Sequence, residues 1–324
     1  VWYTVNGEET YLKAKDLLSI ADLTGEDIRL IIAEAIDIKA QGWSSLLDRK
    51  VLGLIFEKPS LRTRVSFEIA MRQLGGQCIY LSPTEVGMGQ RESVPDVARV
   101  LSRFVDVIAA RTFSHATLES LATYADVPVI NALSDAEHPC QALADLLTIY
   151  EKKGRLDGLT IAYIGDGNNV ASSLLLAASL TGMCFRIASP DGYTLNEKTL
   201  SLARDYAAGS GAEIVTLKEP ETAVVGADIV YTDVWTSMGQ EAEFAIRREA
   251  LADYQITGEL LALASEDAIF MHPLPAHHGE EVAEGIVDSP QSVVFDQAEN
   301  RMHLQKALLA SILGGLDIPL AVYR

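Results

Sequence analysis

"VLGLIFEKPSLRTRVSFE", residues 51–68, runs an apolar segment straight into a proline, a serine and a helical period. Residues 51–56 read as a strand. Beyond them Phe67, Met71 and Leu74 recur four and three apart, one face of a helix, and Ser60 stands where an N-cap belongs. A strand that passes directly into a helix is the building unit of a parallel sheet with crossover helices. The rhythm repeats, with strands expected at 77–82, 106–111 and 127–132, then at 160–165, 184–189, 213–217, 228–234 and 268–272. The fold class is therefore α/β. At 324 residues the chain is long for a single core, so two Rossmann-like lobes are expected, each a parallel sheet flanked by helices. The polar stretch "EKKGRLDG" at 151–158 is the expected border, giving lobes of 1–150 and 151–297. No strand follows the last helical period, and residues 298–324 are expected to pack back on the first lobe.

The chain carries 45 acidic against 26 basic residues, a formal net charge of -19. That balance argues against nucleic acid and against an anionic membrane, both of which are bound by basic patches. No span approaches the ~18 apolar residues of a membrane helix. Cys78, Cys140 and Cys184 are an odd number at no metal-like spacing, which resembles neither a disulfide framework nor a zinc ribbon. A cytoplasmic protein is the expectation.

Against this acidic background Lys58, Arg62 and Arg64 crowd the mouth of one helix. A helix N-terminus offers unpaired N–H groups and a partial positive charge, which attract an anion and disfavour cations. Arginine adds a planar fork that matches two phosphate oxygens. Ser60, Arg62 and Thr63 are thus expected to hold a phosphate-type anion that supplies the missing counter-charge. The loop is not a Walker loop, because GxxxxGK[ST] is absent.

Open parallel sheets bind ligands beyond the carboxyl ends of their strands. Polar groups gather at five such ends: Arg111; His138 with Gln141; Asn168 with Asn169; Asp233 with Ser237 and Met238; and "HPLPAHHGEE" from His272. "GDGN" at 165–168 is a weak dinucleotide signal, since the third glycine of GxGxxG is missing and Ser189 and Pro190 stand where an acidic ribose ligand is wanted. A metal reading of His272, His277, His278, Glu280 and Glu281 runs against Pro273 and Pro275, which prevent the regular helix of HExxH sites. Cys140 reads as a small packed residue, because side chains two apart on a helical turn point away from each other and His138 cannot serve it as a base.

Taken together and in this order, "FEKPSLRTRVSFE", "HPCQALADLLT", "IGDGNN", "DVWTSMGQE", "HPLPAHHGEEV" and "DQAENRMHLQKA" resemble the carbamoyltransferases, and within them the ornithine branch. The likeness runs from near residue 17 to the last helix. It implies a homotrimer or a multiple of trimers, with a first lobe for carbamoyl phosphate and a second for L-ornithine. Carried over by position, Ser60, Leu61, Arg62 and Thr63 would hold the phosphate, and Arg111 would bridge it to the carbonyl. His138, Gln141, Arg301 and the backbone carbonyl of Leu274 would bind the carbamoyl end. Asn169, Asp233, Ser237 and Met238 would address ornithine. Arg111, His138 and Asp233 would carry the catalysis, with no cofactor, no metal and no nucleophile on the enzyme. The Leu274–Pro275 bond is a candidate cis peptide.

Three positions depart from the branch the sequence resembles. Leu61 stands where its phosphate loop has threonine, and Gly87 where some members place a polar side chain that reaches a neighbouring subunit. Pro273, beside His272, stands where ornithine enzymes carry cysteine, and "HPLP" resembles the aspartate branch. Against an aspartate acceptor, "DVWTSMGQEAEF" offers no base for a second carboxylate, and Asp233 suits a substrate amine. Putrescine, N-acylated ornithine or aspartate as acceptor, or a non-catalytic binding paralogue, are the alternatives to ornithine.

Overall fold

The computed structural model describes residues 16–237 and 239–314, together with the backbone of a two-stranded antiparallel ribbon, β1 (Thr4–Val5) and β2 (Glu8–Glu9). The chain divides into two compact units, one of Val1–Leu143 with Arg301–Arg324, the other of Ala144–Asn300. By contacts alone the division falls inside the helix Pro139–Lys153. Hydrogen bonding ties the second half of that helix to its unit. Asp145, Thr148 and Glu151, on the second half of that helix, accept from Gln297, Tyr231 and Asn300.

The first unit holds a four-stranded parallel sheet of β3 (Val51–Phe56), β4 (Gln77–Leu81), β5 (Val107–Arg111) and β6 (Val129–Leu133), in the order β4-β3-β5-β6. The second holds five parallel strands, β7 (Thr160–Ile164), β8 (Cys184–Ala188), β9 (Ile214–Leu217), β10 (Ile229–Tyr231) and β11 (Ile269–Met271), in the order β11-β10-β7-β8-β9. All nine expected strands form, with shifted ends that have local causes. β6 starts after Pro128, which has no N–H for the ladder. The run expected at 228–234 stops at Tyr231, because the Thr232 hydroxyl turns back to donate to the Ile164 carbonyl and Asp233 leaves the sheet.

Each order reverses direction once. In the first unit the chain steps from β3 outward to β4 and then returns to the other side of β3; in the second it steps outward from β7 to β9 and returns beside β7 as β10. The carboxyl ends of β3 and β5, and of β7 and β10, are therefore topological switch points, where the diverging connections leave a crevice. The last helix, Val294–Leu313, passes into the first unit from Arg301 onward. It buries Leu304, Ala307, Leu308 and Ala310, and each leucine so buried contributes about 1.5–3 kcal/mol. Lys306 is also fully buried, with Nζ donating to the Gly42 carbonyl at 3.0 Å and Gln73 Oε1 at 3.1 Å. Residues 315–324 of the expected returning segment lie outside the described residues. Among the described residues no helix is long and apolar enough to cross a membrane.

Candidate active site

At the first switch point the helix Leu61–Gln73 starts from an extended Ser60, whose Oγ accepts the Thr63 N–H at 3.3 Å. The Thr63 hydroxyl is fully buried, 3.0 Å from Ser60 Oγ and 2.7 Å from a guanidinium nitrogen of Arg301 that donates to it. Arg111 ends β5 and is 7% exposed. Burial, followed by the charges of Arg301 and Arg62, pulls its guanidinium down to about 10. His138 immediately precedes the helix Pro139–Lys153, and Gln141 lies in its first turn; both are buried. The His138 imidazole is held well below its ordinary value by burial, then by Arg301 and Arg111. Arg301 and Arg62 thus help to depress Arg111, and Arg301 and Arg111 help to depress His138, an arrangement that an anion stabilises.

The other two cations of the opening stretch go elsewhere. Arg64 donates to Glu68 at 2.8 Å and lies over the Tyr80 ring, while Lys58 lies over Phe113. The charge of Arg62 does act on Arg111. Leu61 is 75% exposed, so this position brings its backbone N–H and no side-chain group to the helix mouth. Gly87 adopts φ 59, and a Cβ there would stand 2.9 Å from Cβ of Arg91, so the loop is built for glycine. Burial pushes the Cys140 thiol up to about 12, and its Sγ faces the Asn131 carbonyl, as suits a packed residue.

At the second switch point Asn168 caps the helix Asn169–Thr181, its Oδ1 accepting the N–H groups of Val170 and Ala171. The Nδ2 of the same side chain donates to Asp233 Oδ2 at 2.7 Å. Asn169, singled out from the sequence, is the first helical residue; it is Asn168 that ties the helix to Asp233. The N-cap preference of asparagine was the signal for it. Asp233 is buried, and burial raises its pKa against the opposing influence of His272, the Val234 N–H and Asn168. The second glycine of "GDGN" is explained by packing, since a Cβ on Gly167 would lie 2.4 Å from the Leu195 backbone nitrogen.

Arg247 links two of the strand-end loops. It donates to Asp166 at 2.8 Å and to the Trp235 carbonyl at 3.2 Å, and its Nε donates to Glu243. Nothing local in the sequence marked this pair, whose members are 81 residues apart. In "SMGQE" the Gln240 side chain accepts the Ser237 N–H at 3.0 Å; Met238 lies outside the described residues. After β11, His272 Nδ1 accepts the Leu274 N–H at 2.9 Å, so its proton is on Nε2, which faces Glu281 Oε1 at 3.2 Å. The His272 N–H donates to Gln297. Leu274 has φ 57, and the bond to Pro275 is cis. Pro273 is buried beside His272.

Both units are thus doubly wound parallel sheets, one with a cation cluster and one with a buried carboxylate at the switch point. Residues 15–151 match the family model for the carbamoyl-P binding domain of aspartate/ornithine carbamoyltransferase, and residues 157–312 match its Asp/Orn binding domain. The chain belongs to the aspartate/ornithine carbamoyltransferase family. It is 51% identical over 306 residues to the ornithine carbamoyltransferase of Anoxybacillus flavithermus, covering 93% of this chain and 98% of that one. It is 50% identical over 311 residues to the anabolic ornithine carbamoyltransferase of Pyrococcus furiosus, covering 94% and 98%. The solved ornithine carbamoyltransferase structure from Pyrococcus furiosus superposes with a TM-score of 0.91, covering 95% of this chain and 100% of that one.

Proposed function

We propose that this protein transfers the carbamoyl group of carbamoyl phosphate to the side-chain amine of L-ornithine, giving L-citrulline and phosphate. The observation that carries the reading is the gathering of Arg62, Arg111, Arg301 and His138 around the N-terminus that holds Thr63. The relatives' shared activity supports the acceptor.

In this reading Ser60, Arg62, Thr63 and the Leu61 N–H hold the phosphate. Arg111, His138, Gln141 and Arg301 address the carbamoyl group. The neutral amine attacks the carbamoyl carbon, negative charge builds on the carbonyl oxygen, and donors from Arg111, His138 and Thr63 stabilise it. The bond from carbon to the bridging oxygen then breaks, phosphate departs, and the attacking nitrogen gives up a proton. The low proton affinity of His138 makes it a neutral donor through one ring nitrogen. Asp233, with Ser237, Met238 and Asn169, receives the amino acid, and the Leu274 carbonyl accepts from the carbamoyl NH₂. Positioning of two substrates supplies much of the rate. Because an alkyl amine with a free pKa near ~10.4 must react unprotonated, turnover should rise from pH 6 to pH 9.

The chain is also proposed to act as a homotrimer or a multiple of trimers, in the cytoplasm. Exposed Val65, and Ile79 on edge strand β4, give the first unit apolar surface that assembly would cover. Cys78, Cys140 and Cys184 are free thiols, which suits a reducing compartment. Light scattering after size exclusion tests the assembly. For the reaction, citrulline formation is measured with L-ornithine beside putrescine, N-acetyl-L-ornithine and L-aspartate as acceptors. Turnover with ornithine alone is expected; turnover with aspartate alone would move specificity to Pro273, and none with any acceptor would leave a binding protein.

A further inference from the structure

The turn after the Leu274–Pro275 bond carries residues that the transfer reaction does not use. His277, Glu280 and Glu281 direct one ligand atom each into a common space, all within 4.8 Å of one another. The turn itself is tight: the His277 N–H donates to Glu281 Oε1, and the Glu280 N–H donates to the His277 carbonyl at 3.0 Å. Glu281 is wholly buried, and its two oxygens are used unequally. Oε1 faces the His277 N–H and His272 Nε2, whereas no group among the described residues donates to Oε2. Oε2 lies 3.7 Å from His277 Nδ1, beyond hydrogen-bond reach. A buried carboxylate oxygen with no protein donor is unfavourable until a cation or a water takes its lone pair, and the convergence of His277 and Glu280 on it favours a cation.

We propose that His277, Glu280 and Glu281 bind a divalent first-row transition-metal ion, with Zn2+ as the reference member. One imidazole nitrogen and two carboxylate oxygens are ligands that zinc takes at about 2.0–2.2 Å. Ions that prefer oxygen alone, such as Mg2+ and Ca2+, are poorly served by the imidazole. Tetrahedral bonds of that length place neighbouring ligand atoms roughly 3.4 Å apart, so the 3.7 Å between His277 and Glu281 needs only slight closure. Pro273 and Pro275 exclude a helical HExxH site but leave this one intact, since a turn and not a helix brings the three ligands together. The ion takes no part in the transfer. It binds to the carboxylate whose other oxygen faces His272, and His272 holds the Leu274 N–H. Any effect on the carbamoyl group therefore rests on the proposed role of Leu274, while the binding does not.

Isothermal titration of the chelator-treated full chain with Zn2+, beside His277→Ala and Glu280→Gln, tests the proposal. His277 is exposed and Glu280 half-buried, so both variants should keep the parent's metal-free melting temperature. One ion per chain is expected, bound at least about tenfold more weakly in each variant, since even the loss of a ligand's supporting partner costs about 10–100-fold. Three results would each overturn the site: no saturable binding in the parent, undiminished binding in both variants, or a thiolate charge-transfer band in the Co2+ protein that places the ion on cysteine. Turnover of the chelated protein is measured separately, so loss of the metal site leaves the transfer reaction standing.

Discussion

The two switch points hold opposite charges with different materials. In the first unit the charged and polar groups sit on the ends of regular elements: Thr63 in the first turn of one helix, Arg111 on the last position of β5, His138 just before another helix. In the second, Asp233 also follows a strand, but its surroundings are loops, tied by Arg247 to Asp166 and Trp235 and by His272 to Leu274 and Glu281. Both centres are held away from their preferred state. Arg111 is drawn towards losing its proton and Asp233 towards keeping one, each chiefly by burial. A site of this kind costs stability without its ligand and recovers it on binding.

The largest expected effect comes from Arg111→Met. Loss of a donor to the developing oxyanion should lower kcat/KM for carbamoyl phosphate about 10²–10³-fold. Because the guanidinium is buried among like charges, the ligand-free melting temperature should hold or rise. A fall of more than about 4 °C, equivalent to roughly 1 kcal/mol or more, would make Arg111 a structural residue and break the parallel with Asp233.

Arg247→Met probes the loop side. Asp166 would keep a buried carboxylate without its partner, at a cost of about 3 kcal/mol. Denaturant unfolding should report that loss, and the KM for ornithine should rise while the KM for carbamoyl phosphate stays within about threefold. Equal shifts in both constants would mean that the two sites are not built independently.

How far the sequence could be read follows the same line. Ser60, Arg111 and His138 were legible because an N-cap, a strand end and a helix start each have a local signature. The nine strands followed from apolar runs, and their ends moved where one side chain intervened, as Pro128 and Thr232 did. The partner of Arg64 was not legible, because a cation near a helix mouth cannot be told from one that pairs with a glutamate four residues on until the side chains are placed. Arg247 and Asp166 were invisible, since an ion pair across 81 residues leaves no periodicity. Asn168 and Asn169 are neighbours of equal chemistry, and only the helix start distinguishes the cap from the first turn.

Asp233→Asn makes the sign of the comparison measurable. Losing a charged partner for the substrate amine should cost about 1.5–3 kcal/mol of acceptor affinity, read as the KM for ornithine. The pKa of Asp233 is raised in the folded chain, so folding favours its protonated form. Stability from this group is present at low pH and is lost as pH rises from the unfolded carboxylate value through the raised folded one. The asparagine variant escapes that loss. Its melting temperature should exceed the parent's at pH 7, and the gain should shrink on acidification towards pH 4; a gain that grew with acid would reverse the assignment.

The smallest effect is expected at Leu61, where the chain departs from the branch it resembles. Its side chain is exposed and its backbone N–H belongs to the first helical position, so the anion loses only a hydroxyl that threonine would bring. One added hydrogen bond to a phosphate oxygen contributes about 0.5–1.5 kcal/mol net. Leu61→Thr should therefore tighten carbamoyl phosphate by no more than about tenfold, with the ornithine KM and the melting temperature unmoved. Tightening far beyond that would show that the helix mouth is short of donors and that the arginines alone do not satisfy the phosphate. No tightening at all would place the anion's oxygens on the Arg62, Arg111 and Arg301 side, with the loop supplying N–H groups only.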